Sequence, residues 1–362
     1  MRPINKGASN PKYTQPTNIQ FGGDNIRPMK RIFGTSNPTL SKCLDYWLAS
    51  VKKVAYPTKK TVSTTSKKKA LKAIELRIDK IYKQASVPLT QHLGNFCSYC
   101  EIPLPGLVEV EHVVPKSNYP TFSTDWYNFL MSCGPCNTQK WKSPTRSTVK
   151  TWIGKANPTE AEYQTEIRTK NYVWPDIDAS SYQDLPCELW FNKVSGGGWE
   201  QKNTWDAADF RNHVVSMSIP DRTVRAAIYS GTSITYVDVQ VRISTSKSAN
   251  SYGTQMIKLC GLNIPGNSFL TYDRRLINRT MAWFTITMAA GLLENVTTQA
   301  EFDLMWPLIL SHAQSTGFYS VWVTILDTYV ANWDKSIKLS TLFVKDSDQP
   351  LYFPNTNKSK VP

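Results

Sequence analysis

Two short cysteine pairs constrain this chain more than any other feature. CSYC places Cys97 and Cys100 on one C-x-x-C knuckle, and CGPC places Cys133 and Cys136 on another, with 32 residues between them. Two such knuckles can bring four thiolates to one tetrahedral zinc, and a clamp of that kind closes the intervening segment into a unit. The segment is longer than that of a plain zinc ribbon, so it has room for a functional site. A redox dithiol is the competing reading. It wants one motif in a βαβ setting, which the surrounding pattern lacks; a fold without metal is the remaining alternative. The first 25 residues hold no apolar run behind their basic start, so the cytoplasm is the expected compartment, where seven cysteines do not make a disulfide framework. Cys43, Cys187 and Cys260 read as small buried hydrophobes.

Between the knuckles lie EVEHVVPKS (Glu109 to Ser117) and DWYN (Asp125 to Asn128), and CNTQK (Cys136 to Lys140) follows the last thiol. His112 is the one histidine of this cluster, and an imidazole is the side chain best matched to accept a proton from water near pH 7. Glu111 offers a hard carboxylate suited to Mg²⁺ or a similar ion. The order C-x-x-C, Glu-His, Asn, C-x-x-C-Asn-x-x-Lys, over His92 to Lys142, resembles the HNH endonuclease superfamily, whose active site is a ββα-metal motif. Within that superfamily the chain most resembles the HNH nuclease subunits of Septu-type and retron-associated anti-phage systems. GLN at Gly261 to Asn263, DRR at Asp273 to Arg275 and SVW at Ser320 to Trp322 add weaker matches.

The resemblance implies a role for each residue. His112 would be the general base, Glu111 and Asn137 the ligands of a catalytic Mg²⁺ or Mn²⁺, and Asn128 the carboxamide that holds the imidazole. Cys97, Cys100, Cys133 and Cys136 would hold a structural Zn²⁺. Lys116, Lys140 and Lys142 are expected on the substrate phosphate, Lys140 because it lies at i+3 from Asn137 on a helix. Neighbours on a strand face opposite ways, so a site shared by Glu111 and His112 requires a bend, which Pro115 just beyond favours. Ser117, Asn118 and Tyr119 stand where many HNH sequences carry a glycine pair.

Charge points to a polyanionic partner. The formal net charge is +14, and residues 1 to 90 carry all of it, with 18 Lys and Arg against Asp24, Asp45, Glu75 and Asp79. Clustered cations release counterions from a phosphate backbone, so a nucleic acid is the expected partner; a merely solubilising basic tail is the plainer alternative.

Organisation follows composition. Residues 1 to 40 read as an extended arm, Leu40 to Val54 as a short helix, and Lys59 to Lys69 as a solvated linker or phosphate-facing loop. A second helix follows, with a buried stripe of Leu71, Ile74, Leu76, Ile78 and Ile81, closed by Pro88. Ile234 to Ile243 alternates as a strand, and helices are predicted over Thr254 to Leu262, Tyr272 to Leu293, Gln299 to Ser315 and Val321 to Asn332. The fold class is therefore α+β. A basic N-terminal helical region (1–90) and a mainly helical C-terminal domain (156–352) flank a small ββα-metal core with structural zinc (91–155), and a flexible tail (353–362) ends the chain.

No apolar run reaches the roughly 20 residues of a membrane-spanning helix, so a transmembrane reading is rejected. In GLNIPGNS, Gly261 to Ser268, Asn267 occupies the place of the essential P-loop lysine, so no intrinsic ATPase is expected. The expected function is metal-dependent hydrolysis of DNA by a defence nuclease that works with a separate ATPase subunit. RNA cleavage is the alternative within the enzyme class, and a non-catalytic zinc-stabilised nucleic-acid-binding module the alternative outside it.

Overall fold

The computed structural model describes residues 13–106, 108–140, 144–177, 185–192, 198–201, 215–218, 223–230, 233–245, 251–264 and 273–329, together with Met1, Ile4 and Lys6. The N-terminal quarter is more helical than an extended arm. Met29, Ile32 and Phe33 share one buried face of α1 (Ile26–Phe33), which stops at Gly34 in the left-handed region at φ +82°. Thr39 caps α2 (Leu40–Val51) through the Lys42 amide, and Ser63 caps α3 (Thr64–Lys83) through the Ser66 amide. The second half of the expected linker thus forms the first turns of α3. Ile74, Ile78 and Ile81 are buried along α3, whereas Leu76 points to solvent, because two residues from either neighbour is the opposite side of a helix. Pro88 does not close α3. It sits in the first turn of α4 (Ser86–Leu93), where a missing N–H costs nothing.

The cysteine-rich segment forms β1 (Glu109–His112), β2 (Phe129–Ser132) and α5 (Gly134–Lys140), with β1 and β2 antiparallel and Glu111 opposite Leu130. Two further helices follow, α6 (Arg146–Ile153) and α7 (Glu160–Thr169), the latter opened by a Thr159–Glu162 capping box. Next comes a five-stranded antiparallel sheet in the order β4-β3-β7-β6-β5. Its strands are β3 (Cys187–Asn192), β4 (Trp199–Gln201), β5 (Val215–Ser218), β6 (Thr223–Ser230) and β7 (Ser233–Ile243). Only β7 carries an alternation long enough to read from sequence, with Val237, Val239, Val241 and Ile243 buried. The helices α8 (Ser251–Cys260), α9 (Arg275–Glu294), α10 (Gln299–Thr316) and α11 (Tyr319–Tyr329) complete the described fold close to their expected positions. Among the described residues no helix is long and apolar enough to cross a membrane.

Two hydrophobic cores meet at the β1–β2 hairpin. Val110, Phe129 and Met131 pack with the N-terminal helices, while Val113, Val114 and Leu130 pack with the sheet and the C-terminal helices. The hairpin is therefore buried on both faces, which fixes its register, since a one-residue slip would exchange the two sets.

A buried ion triad ties three regions together. The Asp176 carboxylate lies 3.1 Å from Lys6 Nζ and 2.9 Å from Arg168 Nη2, and Lys6 donates to the Tyr127 and Phe129 carbonyls at 2.8 Å each. Burial alone would push the Asp176 carboxyl up. The Lys6 and Arg168 charges outweigh it and hold the carboxyl below its ordinary value. Burial pulls the Lys6 ammonium down to about 8. Asp176→Asn leaves two buried cations without their anion and is expected to destabilise the fold by about 3–5 kcal/mol, measured by denaturant unfolding at pH 7. A carboxyl depressed in the folded state stabilises above its unfolded value, and that contribution fades as pH falls through the folded one. The variant should therefore lose less stability than the parent on acidification.

Candidate active site and metal centre

The four knuckle cysteines converge. Their sulfurs all lie within 4.8 Å of one another, all four residues are buried, and Cys100 Sγ is 3.6 Å from Cys133 Sγ. A zinc ion with four sulfurs at about 2.3 Å sets those sulfurs about 3.8 Å apart, so the donor set fits tetrahedral zinc in both chemistry and size. The first knuckle is docked on the hairpin: the Ser98 amide donates to the Met131 carbonyl at 2.9 Å, and the Met131 amide to Ser98 Oγ at 3.3 Å. The second opens α5, with the Asn137 amide donating to the Cys133 carbonyl at 3.0 Å. Burial pushes the Cys136 thiol well above its ordinary range. A dication reverses that preference, since thiolate is the ligating form.

His112 is the last residue of β1, at the end of the hairpin. The Tyr82 ring of α3 stands edge-on to the imidazole at 4.5 Å between centroids, and Phe129 does so at 5.3 Å. Its Nε2 lies 2.9 Å from the Ser123 carbonyl oxygen, a bond in which that nitrogen carries the hydrogen and Nδ1 is left as the basic atom. This corrects the expected role of Asn128. The Asn128 carboxamide works on the backbone instead: Oδ1 accepts from the Val114 amide at 2.7 Å, and Nδ2 donates to the Val114 and Phe122 carbonyls at 2.9 and 3.0 Å. Pairing runs regularly through His112, and the Val113 amide still bonds the Asn128 carbonyl at 3.0 Å. The bend that Pro115 favours thus comes after His112, and Asn128 pins it.

Strand alternation sorts the other residues. Glu109 and Glu111 share one face of β1, while Val110 and His112 share the face towards α3. Glu111 is buried on its face, and Asn137 reaches the same side from α5, where its Nδ2 donates to the exposed Glu109 carboxylate. Lys116 is drawn back to α3, with Nζ bonded to Asp79 and, at 2.9 Å, to the Tyr82 hydroxyl. Lys140 ends α5; its side chain, and Lys142 altogether, lie outside the described residues.

The family model for HNH endonuclease matches residues 97–143. The chain carries an HNH endonuclease domain. Among curated proteins, the chain is similar to the Septu protein PtuB of Bacillus thuringiensis, at 37% identity over 87 residues, 23% of this chain. The match spans 32% of that relative's length. No solved structure matches.

Groups absent from the expected site residues pack around the hairpin and the cysteine centre. Glu109 was legible as the residue two before Glu111, the spacing that returns a strand to one face. The Ser123 carbonyl has no side-chain signal. Arg275, in the DRR run, is 2% exposed and donates from Nη1 to Cys136 Sγ at 3.0 Å and to the Cys260 carbonyl at 2.7 Å. Asp273 orients it, at 2.7 Å from Nη2. Ser320, in the SVW run, donates to Glu101, the residue after Cys100, which also accepts the Ser320 amide at 2.8 Å. A Cβ on Gly317 would stand 2.5 Å from the Glu101 carbonyl oxygen, so the α10–α11 corner approaches the knuckle as only glycine permits. Asn263, in the GLN run, grips both backbone groups of Ile243 on β7, at 2.8 and 2.6 Å. The C-terminal half thus holds both knuckles.

Proposed function

We propose that this chain is a metal-dependent endonuclease that hydrolyses phosphodiester bonds of DNA, with zinc on the four cysteines and a separate Mg²⁺ or Mn²⁺ in the reaction. The observation that carries the reading is an imidazole whose Nε2 is committed to the Ser123 carbonyl at the end of β1, within residues 97–143 that match the HNH family. In the neutral ring that bond puts the hydrogen on Nε2 and the lone pair on Nδ1, the atom that would take a proton from the attacking water. Glu111 and Asn137 would hold the divalent ion on the other face of the hairpin, and the ion would supply positive charge to the phosphoryl oxygens. Asn137 gives its N–H to Glu109, so its Oδ1 is the atom turned to a cation.

The similarity to a Septu protein extends the proposal to anti-phage defence, with a separate ATPase subunit as partner. Met288 and Leu292 on α9 and Leu304 and Leu308 on α10, each more than half exposed, offer that subunit an apolar face. Incubation with plasmid should give strand breaks that need added Mg²⁺ or Mn²⁺ and stop on chelation. A mobility shift without metal-dependent breaks would establish a binding module instead. Total RNA run in parallel tests the substrate, and co-purification from the native host tests the partner.

A further inference from the structure

Where α2 ends against the start of α3, a cavity of about 260 Å³ opens between the two helices. Lys53, Lys67 and Lys68 line it with the hydroxyl-bearing Ser50, Thr58 and Thr64, and no acidic residue contributes to the wall. Asp79, by contrast, holds Lys116, and Glu160 holds Lys52. Tyr46 and Tyr56 also line it, and among the described residues Lys53, Lys67 and Lys68 make no ion pair, so the wall carries three cations and no anion.

The backbone adds a second observation. Lys53 follows the last turn of α2 at φ +56°, with its amide on the Ser50 carbonyl at 3.1 Å and the Val54 amide on Ala49 at 3.0 Å. Glycine is the usual residue at this helix-ending position, and a residue with a side chain costs about 1–2 kcal/mol there. The sequence has a lysine where the fold alone favours glycine, which places a cation in the cavity wall against the local preference.

The helix α3 relates this cavity to the site. Lys67 and Lys68 lie in its first turns, and Tyr82, packed on His112, lies in its last. Fourteen to fifteen residues at 1.5 Å each separate them by about 22 Å. Successive phosphates of a duplex strand advance about 3.4 Å along the axis, so about six or seven nucleotides span the same distance.

We propose that this cavity binds successive backbone phosphates of the nucleic acid that the HNH domain acts on, about six or seven nucleotides from the bond at His112. The proposal rests on the nuclease reading for its register and on the cavity for its chemistry, and the two fail separately in a binding experiment without divalent metal. Fluorescence anisotropy would follow His112→Ala protein against duplexes of 4 and 20 base pairs, each closed by a hairpin loop, over a range of salt concentrations. On the long duplex, Lys67→Gln/Lys68→Gln should weaken binding about 5–10-fold and lower the salt slope by about two, at about one per phosphate contact. The short duplex should bind unchanged. Lys150→Gln/Lys258→Gln, which removes the same charge elsewhere, should leave the slope as it was.

Lys53→Gly separates binding from folding. It should keep or raise the melting temperature while lowering the salt slope by about one. Unchanged slopes in both lysine variants would overturn the proposal. So would adenosine monophosphate binding that depends on Lys67 and Lys68 while the duplex slope stays at the parental value, since that assigns the cavity to a free nucleotide.

Discussion

His112→Ala is expected to lower plasmid cleavage by about 10²–10⁴-fold, the usual contribution of one general acid or base. The imidazole sits between Tyr82 and Phe129 and is 7% exposed, so its removal also opens a small void. That void lies on the α3 face of β1, whereas the four sulfurs are joined to the hairpin through Ser98 and Met131. Metal content should therefore stay at the parental value while the melting temperature falls slightly. His112→Asn gives the companion measurement, since its carboxamide can still donate towards the Ser123 carbonyl. It should restore the melting temperature and leave cleavage absent. Parental cleavage in either variant, with metal content intact, would remove the imidazole from the reaction and with it the assignment of Nδ1 as the basic atom.

The cysteine pairs and the Glu-His step could be read from the sequence because their chemistry is tied to residue type and spacing. Four thiols at those positions suit one small cation, and the structure brings them together. Three kinds of information lay beyond that reading. The two-sided burial of the hairpin depends on which core each residue of Phe129-Leu130-Met131 meets, and a continuous apolar run does not divide itself between two cores. The partner of the imidazole is a backbone carbonyl at Ser123, and every residue has one. The strands of the C-terminal sheet other than β7 run from three to eight residues, short enough that their alternation merges with that of helix or turn. The GLN, DRR and SVW runs, weak as motifs, mark three places where the C-terminal half grips the knuckles or the sheet. Such contacts form between residues far apart in sequence, 139 positions in the case of Arg275 and Cys136.

Those contacts make the four-cysteine centre a joint between halves of the chain, and Cys136→Ser is expected to destabilise the protein more than loss of the Asp176 carboxylate or of the His112 imidazole. It removes one of four metal donors and the acceptor of the Arg275 bond together. Structural zinc in zinc-finger peptides is worth about 10–16 kcal/mol of apparent folding free energy at pH 7, so loss of the ion can exceed the whole stability of an ordinary domain. Elemental analysis should show less than one zinc per chain, and limited proteolysis should open the α8–α9 segment that carries Arg275. Arg275→Met separates the two effects, because it keeps all four thiols and about the same volume while removing the N–H donated to sulfur. Zinc should still bind in this variant but exchange faster into a chromogenic chelator, since a hydrogen bond to sulfur favours the thiolate that holds the ion. Equal exchange rates for Arg275→Met and the parent would make Arg275 a clasp for the Asp273 carboxylate and the Cys260 and Gly261 carbonyls, with no influence on the metal.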